Sequence, residues 1–121
     1  MITNRKQAGR YFRKVAKAMG LAHWEIYVTD KPPSRETSIA EVLAVQGQAA
    51  AYVSLSDSFF EATEAYQRYV AVHELIHVHF ACPDRIASSS MVPGAHAAWE
   101  WSVEYSVDAL SNVLAPFMPM P

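Results

Sequence analysis

Cysteine is nearly absent from this chain. One residue, Cys82, in 121 excludes an internal disulfide, and with it the stapled scaffolds of small secreted proteins. A reducing, cytoplasmic setting is expected. No apolar run approaches the roughly 20 residues that cross a bilayer, so no membrane partner is expected. The opening stretch MITNRKQAGRYFRK carries no hydrophobic segment of the kind a secretory signal needs. Basic residues are scarce beyond residue 35: only Arg68 and Arg85 lie there, against ten of the twelve acids. The other eight cations (Arg5, Lys6, Arg10, Arg13, Lys14, Lys17, Lys31 and Arg35) crowd the N-terminal part. A basic first helix is thus a candidate contact for nucleic acid or an acidic partner, beside its plainer reading as a solvated face.

What is present suits one compact domain. Half the residues are hydrophobic (51%) and 18% are charged, the balance of an ordinary globular chain. Ala8, Tyr11, Phe12, Val15 and Met19 recur at helical spacing, which predicts an amphipathic helix over 4–19, capped by Asn4 and ended by Gly20. HWEIYVTD alternates Trp24, Ile26 and Val28 as a half-buried strand does. KPPSRETS reads as a loop. Two further strands are expected over about 39–46 and 49–55, turned at Gln46-Gly47-Gln48. Helices follow over 62–80 and 96–114. The segment between them, CPDRIASSSMVPG, reads as a loop by Pro83, Pro93 and Gly94. Helix, three strands and two helices make a small α+β domain with a mostly antiparallel sheet.

The chemistry concentrates in RYVAVHELIHVHF. His73 and His77 are four apart, so a helix sets both imidazoles on one face where they can converge on one ion. Glu74 completes an H-E-x-x-H pattern, HELIH. A carboxylate there is poorly aimed at the same ion but can reach a water beside it. Zn²⁺ held by neutral imidazoles acidifies such a water, and the carboxylate takes the proton. The flanking Val70, Val72, Leu75, Ile76, Val78 and Phe80 require this helix to be largely buried, and buried ionisable groups need partners. A catalytic zinc needs a third protein ligand. The last helix offers Glu100, Glu104 and Asp108 at intervals of four, a stripe that elsewhere would be solvated surface.

HELIH followed by EYSVD resembles the gluzincin zinc metallopeptidases, whose H-E-x-x-H helix is followed by E-x-x-x-D. The resemblance implies a zincin-like fold, a zinc ion and peptide-bond hydrolysis. It implies Glu104 as the third ligand and Asp108 as the acid that hydrogen-bonds a ligand histidine. The final EYSVDALSNVLAPFMP is similar to the closing helix of the ImmA/IrrE-type peptidases of phages and mobile elements, although Asp108 stands where that family has Asn. The resemblance covers about residues 20–118, and only the two helix motifs are specific. Glu100 competes for the ligand position; Asp108, spaced four behind Glu104, favours Glu104.

Other residues make weaker claims. Glu100 and His96 are candidates for substrate or transition-state contacts. Tyr66, Tyr69 and Tyr105 could donate to a tetrahedral intermediate, against a plainer place in the core. His79 is turned away from the metal face, and Cys82 reads as a small buried group. The expected substrate is an extended peptide or protein segment added along a sheet edge, placed at strand 49–55 because its alanines leave room. A non-peptidase zinc hydrolase and a catalytically silent interaction module are the alternatives.

Overall fold

The computed structural model describes residues 1–121. Helix α1 (Arg5–Ala18) begins at Asn4, whose side chain accepts from the Gln7 backbone N–H. It ends as Gly20 turns to φ +80°, a conformation only glycine adopts without strain. Its buried stripe of Ala8, Tyr11, Phe12, Val15 and Ala16 packs against strand β1 (Glu25–Val28). Strands β2 (Ala40–Ala44) and β3 (Ala50–Leu55) form a hairpin. Gly47, at φ +75°, supplies the left-handed residue its turn requires.

The sheet is mixed, in the order β1-β3-β2. β3 pairs antiparallel with β2 and parallel with β1, in register Ile26 with Ala51 and Val28 with Val53. The domain is α+β, as expected, but strand 50–55 is not the free edge. It lies in the middle, paired on both sides; β1 and β2 are the edges, and β2 is the one that packs along α3. The run of alanines does not open room for a substrate: Ala50 and Ala51 are buried.

Helices supply the rest. A short helix α2 (Asp57–Glu61) precedes α3 (Glu64–His79), which starts at Thr63 with the hydroxyl accepting from the Tyr66 N–H. The expected loop at 82–94 is largely helix α4 (Ala81–Ser90), and α5 begins at Pro93 and runs to Leu114. Both prolines were signals of a break, yet each sits in a first helical turn, where a missing N–H leaves no bond unmade. Cys82, on α4, is exposed rather than buried. A 3-10 turn (Ala115–Phe117) closes the chain. No helix is long and apolar enough to cross a membrane.

The core gathers Phe12, Ile26, Val53, Leu55, Phe59 and Leu75 from all layers. One buried polar residue ties it to the N-terminal segment. The Gln67 side chain accepts from the Ile2 N–H at 3.0 Å and donates to the carbonyls of Ile2 (2.8 Å) and Phe59 (3.0 Å). Gln67→Ala strips three buried backbone groups of their partner and leaves a void. Its expected destabilisation, read by urea unfolding, is about 2–4 kcal/mol.

Candidate metal centre

The packing of α5 on α3 assembles the site. Val103 and Val107 form the buried stripe that seats α5. Glu104 and Asp108, each one residue further on, fall at the margin of that contact, about 100° round the helix. They hang over the face of α3 that carries His73 and His77. The acids are therefore at a rim: the Glu104 and Asp108 side chains are 52% and 58% exposed.

His77 Nε2 lies 3.1 Å from Glu104 Oε1, and His73 Nε2 lies 3.5 Å from the same oxygen. One ligand atom each from His73, His77 and Glu104 falls within 4.8 Å of the others. A four-coordinate ion with bonds of about 2.0–2.1 Å spaces its ligands roughly 3.4 Å apart, so these atoms need little movement to share one.

His73 is the group whose surroundings make least sense without an ion. Its Nδ1 is buried and makes no hydrogen bond, although Asp108 Oδ1 is only 3.4 Å away; the two are within reach but out of line. Burial, and then the neighbouring His77, hold the His73 pKa below its ordinary value against the opposing pull of Glu104 and Asp108. The neutral ring carries one proton. On Nδ1 that proton serves Asp108 and turns a lone pair at the Glu104 carboxylate; on Nε2 the repulsion moves to Asp108. A cation between Nε2 and Glu104 removes the conflict, with Asp108 left to hold the Nδ1–H. The donor set of two imidazoles and one carboxylate suits zinc. Compared with protein-family models, curated proteins and solved structures, the chain matches none.

Glu74 points the other way in character. It is only 7% exposed and lines the same groove as the histidines. Burial pushes its pKa up to about 8, helped by the nearby carboxylates of Glu104 and Glu41.

The groove has a volume of about 850 Å³ and is walled by β2 on one side and by α3, α4 and α5 on the others. Tyr66 and Tyr69 line it, and the Tyr69 ring sits 6.0 Å from that of His73. Tyr105 does not line it; that ring packs edge-on to Trp101 on the exposed side of α5. His96 and Glu100 also lie outside the groove lining and face each other, with Nε2 and Oε1 3.4 Å apart. His79 donates to the Met19 carbonyl at 2.9 Å, tying α3 to the end of α1.

Glu41 also belongs to the groove. This acid stands on β2, lines the groove, and accepts from the Ser34 N–H (2.7 Å) and hydroxyl (2.8 Å). Those two bonds hold its pKa below the ordinary carboxyl range. Nothing near it in the sequence marks it, because its place beside Glu74 comes from β2 lying along α3.

Proposed function

We propose that this protein is a zinc-dependent hydrolase of peptide bonds. The observation that carries the reading is the convergence of His73, His77 and Glu104 on one point, with the buried His73 Nδ1 lacking a hydrogen-bond partner and Glu74 buried in the same groove. His73, His77 and Glu104 would hold the ion, and Asp108 would fix the His73 tautomer. When bound, zinc supplies Lewis acidity toward a carbonyl oxygen and a water molecule.

The chain's own groups do the remaining work. Glu74, its pKa lowered again by the charge of a bound cation, is free as a shielded carboxylate to accept a proton from the attacking water. It delivers that proton to the amide nitrogen as the carbon–nitrogen bond breaks, leaving a carboxylic acid and an amine. Tyr69 is the phenol nearest the histidines and stands where it can donate to developing negative charge. Substrate lies extended along β2, whose outer edge has no strand partner in the sheet. Backbone hydrogen bonds to that edge bind a peptide with little demand on its sequence. The placement on β2 replaces the expected one on strand 49–55.

Protein prepared without chelators is expected to contain one zinc per chain by elemental analysis. It is expected to cleave a mixed peptide library, to lose that activity with a chelator and to regain it with zinc. Absence of zinc defeats the metal assignment. Zinc without cleavage makes the protein an interaction module on the same scaffold.

A further inference from the structure

The outer face of α1 has no role in the groove and an unusual charge arrangement. Arg5, Lys6, Arg10, Arg13, Lys14 and Lys17 are all exposed, and α1 contains no acid. At 100° per residue they occupy about half the helix circumference, and from Arg5 to Lys17 they extend about 18 Å. None of the six is paired with a carboxylate: the ion pairs of this protein involve only the N-terminal amine and histidines. Arg5 is steadied over the Phe60 ring at 5.7 Å, and Arg13 reaches the Ile26 carbonyl at 3.4 Å. Both keep their charge outward. Residues 1–35 carry eight cations and two acids, a net of +6 in a chain whose total is −2.

We infer that this face of α1 binds the phosphate backbone of duplex nucleic acid, without reading its sequence. The charge spacing fits: a duplex strand presents a phosphate every 3.4 Å of axis, so about five lie alongside an 18 Å strip. The face also lacks what other polyanionic partners need. A protein interface is anchored by buried aromatic or aliphatic side chains, and no large apolar side chain is exposed on α1. A membrane-surface helix inserts its apolar face, whereas Tyr11, Phe12 and Val15 of α1 are already buried in the core. Phosphate contacts need neither.

The surface is separate from the metal site. α1 packs on β1, at the opposite side of the sheet from β2, and no α1 residue lines the groove. Nucleic acid held there leaves the groove open, so the face would localise the protein rather than deliver a substrate.

Fluorescence anisotropy with a labelled 20-base-pair DNA duplex tests this, using two unrelated sequences at 50 and 200 mM KCl. Equal affinity for both sequences is expected, falling about a hundredfold across that salt range for about four phosphate contacts. Combining Lys6→Glu, Arg10→Glu, Lys14→Glu and Lys17→Glu is expected to weaken binding at 50 mM KCl at least a hundredfold with an unchanged thermal melt. The same four positions as Gln provide a milder variant, expected to flatten the salt slope. Arg5 and Arg13 are left alone because they touch the fold. No binding at 50 mM KCl overturns the inference, as does a Gln variant that binds like the parent. Equally tight binding to poly-glutamate or to phosphatidylserine vesicles overturns it too, by removing the preference for a phosphate backbone.

Discussion

Glutamine in place of Glu74 is expected to leave zinc bound and to reduce peptide hydrolysis by roughly a thousandfold, the usual scale for a lost general base. Steady-state cleavage of a peptide taken from the library experiment, with zinc content measured on the same sample, is the check. Turnover like that of the parent would remove Glu74 from the chemistry. The same substitution has a second signature in the zinc-free protein. Burial raises the Glu74 pKa from about 4.5 to about 8, so the folded chain holds a proton that the unfolded chain has released across that interval. The stability this contributes is complete below about pH 4.5 and is lost as pH rises through 8, on the order of 5 kcal/mol in total. Urea unfolding of chelator-treated protein between pH 5 and 9 is expected to show that decline in the parent and a flatter profile in Glu74→Gln. The comparison of slopes is unaffected by any constant penalty for the buried amide. A parent profile as flat as the variant's would mean that the carboxyl is better solvated than its burial implies.

Removal of the proposed third ligand gives the other large effect. A four-ligand structural zinc is held by roughly 10–16 kcal/mol, or about 2.5–4 kcal/mol per ligand, so Glu104→Ala is expected to weaken zinc binding by a factor of about 70 to 900. Glu100→Ala is expected to change it little, because Glu100 faces His96 one turn away. Asp108→Ala falls between, at about 10- to 100-fold, since it acts on the orientation of His73 rather than on the ion. Competition against a zinc-sensitive chelating dye at fixed pH gives all three constants. If Glu100→Ala were the more damaging, the ligand would be Glu100 and α5 would have to rotate on α3.

Local chemistry explains which parts of the fold were legible. The apolar stripe of α1, its Asn4 cap and Gly20 are all contained within a few residues, and the helix follows from them. The spacing of His73 and His77 likewise sets two rings on one face of α3, which the structure has 5.1 Å apart. α4 is not legible because Pro83 and Pro93 resemble breaks in the sequence, although a proline ends a helix only away from its first turn. The exposure of Trp101 and Tyr105 was hidden for a related reason. Composition shows α5 to be apolar, but only its contact with α3 selects Val103 and Val107 as the buried stripe.

Strand order was beyond the same reading. β1, β2 and β3 are each recognisable alone, and the Gly47 turn pairs β2 with β3. Nothing local states whether β1 joins the pair beside β2 or beside β3, because that depends on where α1 and the 29–39 connection fit against the core. The outcome places β2 at an edge, along α3, and brings Glu41 beside Glu74.

Thus the amino-acid order alone determined the helices and strands that carry short-range periodicity, and the pairing of two imidazoles a turn apart. Tertiary structure decided which acid of α5 meets them, which strand is left open and how deeply Glu74 is buried. Those outcomes depend on packing between segments distant in the chain, where a rotation of one residue about a helix axis exchanges a buried side chain for an exposed one.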